Sequence, residues 1–348
     1  MSKIRLPKIS VIIPHHNNYD ILYECLSSLI KCTYKNFEII IVDNNSNDGS
    51  VKRVKNVFNE INVYKSEINL GYSGGCNAGA KIATGEYLLF LNNDTIHNID
   101  FMDHLVSKML SNDKIACIQP KIKNFDKREY FDYAGASGGF IDYLGFPFAR
   151  GRIFNTIEKD TGQYNDSIKV FWTSGTAFIT KKNIFDKLNG FDEKLFAHME
   201  EIDYCWKCYL AGYECWVEPH AEIFHHGGKT LSFNSPKKTY LNHRNSFILI
   251  LTNYNLSLSL YLLPLRLVLE FFSSLSELLK FRVGHFLAHY VAILSIIFNF
   301  SYLINKRNFI KKIRKLNDKS ILEKGVVLNE SIIKKYYFYF KNKYSNLF

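Results

Sequence analysis

The chain lacks the features that would place it most quickly. Its seven cysteines form an odd count at irregular spacing, so no disulfide framework can be read. Its first residues, MSKIRLPKIS, lack the apolar core of a secretory signal. Together these absences predict a reducing, cytoplasmic setting. No G-x-G-x-x-G follows a strand-like run and no G-K-[ST] closes the Gly-rich segment, which argues against a nicotinamide oxidoreductase and a P-loop enzyme. No internal repeat is visible. Acids are scarce, 33 against 44 Lys and Arg, for a net charge of +11. Such an excess suits nucleic acid, anionic lipid or phosphorylated substrates alike. No nucleic-acid-binding module is recognisable and much of the excess lies in the tail, so no nucleic-acid partner is expected.

What is present is alternation. Strand signals at Ile9 to Ile13, Phe37 to Val42, Val63 to Tyr64 and Tyr87 to Leu91 are interleaved with helical patterns, one of them carrying Ile21, Leu22, Cys25, Leu26 and Leu29, the next near Val51 to Phe58. This order predicts an α/β, Rossmann-like fold with a mostly parallel sheet and helices on both faces. Asp126 to Lys169 reads as irregular and partly loop-built. A composition shift near Phe247 divides the chain into 1–245, with halves at about 1–125 and 126–245, and a helical, apolar and basic extension, 246–348.

Open parallel sheets bind ligands beyond the carboxyl ends of their strands. There the sequence places Pro14, His16 and Asn17, then Asp43 and Asn45, then Asn92, Asn93 and Asp94. Asp43 reads either as a base or ribose acceptor or as an Asx turn. Asp94 reads as a ligand of a hard cation or as a helix cap. The run Asn69 to Gly79, with Gly71, Gly75 and Asn77, reads as a backbone cradle or as close helix packing. Glu200, Glu201 and Asp203 open a helix between apolar segments, where acids favoured by the helix dipole are otherwise costly. His225 ends a strand-like run before His226-Gly227-Gly228 and reads as a metal ligand or a structural histidine. Cys205 and Cys208 form a C-x-x-C, but no second pair stands at zinc spacing, so two thiols on a helix face is the preferred reading.

In this order the segments VIIPHHN, IIIVDNNSNDGS, NLGYSGGCNAG, YLLFLNND, TSGTAFITKK, GFDEKLFAHMEEIDYCWKCYLAGY and HHGGKTL resemble the inverting family 2 glycosyltransferases of GT-A fold, particularly the rhamnosyltransferase-like branch of bacterial surface polysaccharide synthesis. The resemblance extends over roughly residues 8 to 245. It implies a nucleoside-diphosphate sugar donor such as dTDP-rhamnose, a divalent cation (Mg2+ or Mn2+), and a glycan or lipid-linked glycan acceptor. Asp43 takes the place of the base-binding acid, and Asn92-Asn93-Asp94 that of the D-x-D site. Asp94 and His225 would hold the metal. Glu201 takes the place of the catalytic base, with Glu200 and Asp203 beside it. Trp172, Ser174 and Gly175 fall on the acceptor side. The sequence departs from the family at Asn92, an amide for an acid, and at the base, Glu where Asp is commoner, leaving Glu200 and Glu201 both open. A non-catalytic assembly protein with a degenerate transferase fold is the rival reading.

In the extension, Phe286 to Ile304 has about the length of one span by the usual count of roughly 20 residues, weakened by His289 and Asn299. Leu256 to Phe272 is interrupted by Pro264, Arg266 and Glu270. The expectation is in-plane helices on an anionic membrane surface at the inner face of the cell membrane, aided by Lys306, Arg307, Lys311, Lys312, Arg314 and Lys315. Packing on the catalytic unit, or a homo-oligomer interface, is the alternative.

Overall fold

A computed structural model describes residues 6–227 and 235–347. Strand β1 (Ile9–His15), helix α1 (Tyr19–Leu29), β2 (Phe37–Asp43), α2 (Ser50–Val57), β3 (Asn62–Lys65), α3 (Gly71–Ile82) and β4 (Tyr87–Leu91) build the first half. Then follow β5 (Thr95–His97), α4 (Phe101–Leu110) and β6 (Ile115–Asn124). Short strands β7 (Gly139–Asp142), β8 (Pro147–Ala149), β9 (Arg152–Ile153) and β10 (Thr156–Ile157) precede β11 (Ile168–Val170), β12 (Ala177–Lys181), α5 (Lys182–Lys187), α6 (Glu200–Leu210) and β13 (Glu214–His225). The tail holds α7 (Pro236–Asn253), α8 (Leu256–Leu279), α9 (Val283–Phe298), α10 (Phe300–Ile313), α11 (Asp318–Leu322), β14 (Val327–Leu328) and α12 (Ile332–Tyr337).

The main sheet has the order β11-β13-β6-β12-β4-β1-β2-β3, with β5 paired to β13. Strands β1 to β4, β6 and β13 point one way, and β5, β11 and β12 oppose them. The sheet is therefore mainly parallel, as the alternation predicts. Successive side chains on one strand serve opposite faces. Ile12, Ile40, Val42, Leu88 and Phe90 join the core under α3, α5 and α6, while Val11, Ile13, Ile39, Ile41, Leu89 and Leu91 join the core under α1, α2 and α4. Close packing shows at Gly79, where an added Cβ would lie 2.4 Å from Ile12 Cγ2.

The region read as irregular is instead a small second sheet, β10-β9-β8-β7-β14, whose last strand comes from the tail and pairs in parallel with β7. Strands of two to four residues carry too little periodicity to be seen. The tail divides in two by packing. Leu303, Ile310, Ile321 and Val327 are buried in the same core as Trp206 and Phe171. Helices α8 and α9 instead bury mostly polar or small residues, Ser259, Arg266, Glu270 and Ser274 on one and Ala288, His289 and Ala292 on the other. Many of their Leu, Val, Ile and Phe residues point outward, among them Leu260, Phe271, Phe272, Leu287, Ile297 and Phe298.

Candidate active site

The parallel register sets the carboxyl ends of β1 and β2 level, His15 opposite Asp43. Beyond them the chain turns repeatedly through left-handed conformations, at Asn17, Asn18 and Asn45. Asn and Asp accept such angles more readily than branched residues because their short polar side chains bond locally. Asp43 Oδ1 accepts from Ser46 N at 2.8 Å, so its carboxylate closes an Asx turn at the mouth of the sheet. Asn17 Oδ1 accepts from Asn47 N at 3.0 Å, and His16 Nδ1 donates to the Asn44 carbonyl at 2.9 Å. Pro14 lies under this crossing, its Cβ 3.4 Å from where a Cβ on Gly75 would stand.

His15, absent from the expected site set, is buried between Asn93 Nδ2 at 2.8 Å and Ser50 Oγ at 2.9 Å. Asn93 donates to Nδ1, leaving Nε2–H to donate to Ser50. Burial pushes the His15 imidazole down to about 4, which keeps it neutral and the network intact. The same network fixes Asn93, next to Asp94, against β1.

Asp94 and His225 meet because β5 pairs antiparallel with the end of β13, placing His225 opposite Thr95. Asp94 Oδ1 lies 3.2 Å from His225 Nε2, and Asp132 Oδ1 lies 2.9 Å from His225 Nδ1. All three are buried. Asp94 Oδ1 makes no well-aligned hydrogen bond among the described residues, so at 3.2 Å the pair is held as an ion contact. Burial disfavours a charged imidazole, but Asp94 and Asp132 outweigh it and raise His225 to about 10. Burial likewise opposes ionisation of Asp94, and the adjacent His225 outweighs it, holding the carboxyl below its ordinary value. A carboxylate behind a ligating imidazole is the usual way to fix its tautomer. The donor set therefore fits a divalent cation held by Asp94 and His225, with Asp132 orienting the ring. Asp132 lay in the stretch read as loop, and no local pattern marks it. Residues 228–231 of the His-Gly segment, Gly228 included, lie outside the described residues.

Helix α6 begins after three left-handed non-glycine residues, Phe196, His198 and Met199. Such angles cost of order 1–3 kcal/mol each and persist only where the surroundings hold them. Asn245 does so: its Nδ2 donates to the carbonyls of Leu195 at 3.0 Å, Ala197 at 3.1 Å and His198 at 2.7 Å. On the other side Ser73 N donates to the Phe196 carbonyl at 3.1 Å. Gly71, at φ 71°, packs where a Cβ would stand 2.5 Å from that carbonyl, and Asn69 Oδ1 caps Gly71 N at 2.9 Å.

The geometry separates the three acids of α6. Glu200 is buried with one unbonded oxygen, and burial followed by the charge of Glu201 raises it well above the carboxylate range. Glu201 is raised to about 7, chiefly by burial, against the pull of nearby backbone N–H groups including that of Gly175. Gly175 and Thr176 also connect the two parts of the site, since Asn92 N donates to the Thr176 carbonyl at 2.8 Å. Asp203 points away from this pair. Its Oδ1 accepts from Lys306 Nζ and Asn253 Nδ2, both at 2.9 Å, which makes it the anchor of α10 and not a companion base.

Three further expectations are corrected. Trp172 is buried, with Nε1 donating to the Phe140 carbonyl at 2.9 Å and its ring filling the space beside Gly139, so it has no face for a sugar. Ser174 spends its hydroxyl on the Ala134 carbonyl at 2.5 Å. Asn77 clamps Phe191 by two hydrogen bonds, 2.9 and 3.0 Å, and so serves the fold. A cavity of about 600 Å³ lined by Asp192, Lys207, Tyr302 and Lys306 opens elsewhere and includes none of Asp43, Asp94, Glu201 or His225.

The chain is 27% identical over 202 residues to "Glycosyltransferase GlyG" of Streptococcus pneumoniae serotype 4, covering 55% of this chain and 64% of that protein. It is 22% identical over 240 residues to the "N-acetylglucosaminyl-diphospho-decaprenol L-rhamnosyltransferase" of Mycobacterium tuberculosis, covering 65% and 78%. It spans only 24% and 15% of the length of two other curated relatives. A structure described as GalNAc-T7 with UDP, GalNAc and Mn2+ superposes with a TM-score of 0.56 at 16% identity, covering 71% of this chain and 48% of that one, and shares its GT-A fold. The family described as "Glycosyl transferase family 2" matches residues 10–188, about half of the chain and all of the strand-end site from β1 through Asp94. The chain belongs to glycosyl transferase family 2.

Proposed function

We propose that the chain transfers a glycosyl group, with inversion, from a nucleoside-diphosphate sugar to a hydroxyl of a glycan or lipid-linked glycan in cell-surface polysaccharide synthesis. dTDP-rhamnose is the first donor to test. The observation that carries this reading is the buried Asp94–His225 pair, backed by Asp132, at the carboxyl edge of the sheet. Asp43 and Asn45 receive the base and ribose, and the 69–75 turn lines the donor side. A divalent cation held by Asp94 and His225 would offset charge on the diphosphate leaving group. Glu201, poised near neutrality, takes the proton of the attacking acceptor hydroxyl, while Glu200 stays protonated beside it. Two carboxyls driven apart in this way suit acid and base roles at one pH. With Asn92 in place of an acid, one fewer negative charge holds the cation, and its affinity would be lower.

Residues 1–245 form the catalytic unit in this reading, and 246–348 its extension. The outward apolar faces of α8 and α9 support association with a lipid surface on the cytoplasmic side. A helix that buries arginine, glutamate and serine while exposing leucine and phenylalanine is arranged for an apolar medium. Leu256–Leu279 is also long and apolar enough to cross a membrane. The Phe286 to Ile304 stretch is not one straight span, because α9 and α10 meet at a 70° bend. The basic run is partly spent inside the protein, since Lys306 is buried against Asp192 and Asp203 and Arg314 pairs with Asp318 at 2.7 Å. Lys311, Lys312 and Lys315 remain exposed for anionic headgroups.

The test is a panel of dTDP-, UDP- and GDP-sugars with and without Mg2+ or Mn2+, following nucleoside diphosphate release in the native protein and in Asp94→Ala and Glu201→Gln. Metal-dependent turnover of one donor, lost in both variants, is expected. Silence that persists with lipid-linked acceptors present would favour the non-catalytic reading.

A further inference from the structure

The cysteines, scattered in sequence, converge in the fold. Cys117 on β6 and Cys215 on β13 are register partners on adjacent parallel strands. Cys205 and Cys208 stand one turn apart on α6, which packs over them, and all four are buried. Cys117 Sγ lies 3.8 Å from Cys205 Sγ and 3.3 Å from Cys215 Sγ, and the three sulfurs fall within 4.8 Å of one another. Cys208, one turn further along α6, lies outside this group of three. The Thr173 backbone N–H points at Cys205 Sγ from 3.4 Å, and the Thr173 hydroxyl lies 3.3 Å from the same sulfur.

These separations have a chemical meaning. Tetrahedral thiolate sites with metal–sulfur bonds of about 2.3 Å hold their sulfurs about 3.8 Å apart, whereas a disulfide needs about 2.05 Å. Cysteine as a small apolar residue accounts for burial alone. It gives no reason for three thiols from three elements to meet, nor for a backbone N–H to face a sulfur. The C-x-x-C of α6 lacks a second pair at local spacing; the fold instead joins its first cysteine to one cysteine from each of two strands.

We propose that Cys117, Cys205 and Cys215 bind one thiophilic d10 cation, Zn2+ in the first instance, as a structural site. Binding releases the thiol protons to solvent and forms coordinate bonds from sulfur lone pairs, with no change of oxidation state. All three cysteines are buried, as suits a structural ion. It ties α6, which carries Glu200 and Glu201, to the strand that ends in His225. The oxygen and nitrogen donors at Asp94 and His225 select a harder ion, and the two sites are chemically distinct. The assignment stands whether or not the transferase reading holds.

The full chain, purified without a metal-affinity step and reconstituted with Zn2+ under reducing conditions, is dialysed into Mg2+ buffer and analysed for metal. About one Zn2+ per chain is expected, released on thiol modification. Exchange with Co2+ should give an intense thiolate-to-cobalt charge-transfer band in the near ultraviolet. Cys117→Ser and Cys205→Ser should lose the band. Cys32→Ser should keep it, as should His243→Ala, which disrupts the separate His243–Glu270–His289 cluster of the tail. Substoichiometric zinc in the native protein, or a cobalt spectrum without the thiolate band, overturns the assignment even if the cysteine variants fail to fold.

Discussion

Replacing Glu201 by Gln should stabilise the protein at alkaline pH while abolishing transfer. In the folded chain burial raises the Glu201 carboxyl from 4.5 to about 7. Between those values the folded state keeps a proton that the unfolded state has released. The stability contributed by this group is thus fully present below 4.5 and is lost as pH rises through about 7. Glutamine never ionises and escapes that loss. At about 1.4 kcal/mol per pKa unit, the shift from 4.5 to about 7 limits the effect to about 3 kcal/mol, and solvent entering the half-buried cleft reduces it to about 2 kcal/mol. Urea denaturation of both proteins at pH 5 and pH 8 reads this directly. The advantage of Glu201→Gln should be about 2 kcal/mol larger at pH 8. In the native enzyme kcat/KM should rise with pH through about 7, as the base loses its proton. A variant less stable than native at pH 8, or a pH-independent difference, would refute the electrostatic argument. Turnover surviving in Glu201→Gln but lost in Glu200→Gln would move the base to Glu200.

Other consequences follow from partners the structure assigns. Lys306→Ala removes the cation between Asp192 and Asp203 and should cost about 3–5 kcal/mol in chemical denaturation, whereas Lys311→Ala with Lys312→Ala should leave stability unchanged and weaken binding to anionic vesicles. Asp132→Asn should lower Mn2+ affinity by about 10- to 100-fold in a direct binding titration, because the His225 ring loses its orienting carboxylate. Trp172→Phe removes the donor to the Phe140 carbonyl and should cost about 1–2 kcal/mol of stability with the acceptor KM unchanged; a large rise in that KM would return Trp172 to the acceptor site.

The strand ends were legible because their signals are local. A β-branched run followed by Asn, Asp and Ser marks both a buried strand and the turn beyond it, and in a parallel sheet those turns share one edge. Hence His16, Asp43 and Asn93 could be assigned to one edge before any coordinates. Side-chain partners were not legible, since they depend on chain segments far apart. Asp132 reaches His225 across 93 positions and Asn245 reaches His198 across 47. Nothing near Asp203 in sequence announces Lys306. Trp172 and Ser174 were misassigned for the same reason: a motif places a residue along the chain, while burial decides whether its polar atoms and faces are free.

The sequence by itself determined the strand–helix alternation of the first half, the mainly parallel sheet, and which loops gather at its carboxyl edge, because periodicity and turn chemistry are properties of neighbouring residues. Tertiary structure alone decided that Glu200 and Glu201 sit in unequal environments, that half the tail belongs to the catalytic core while α8 and α9 turn their apolar faces outward, and that three distant cysteines meet. Burial and charge pairing are set by what folds against each residue, and no local window of sequence contains that information.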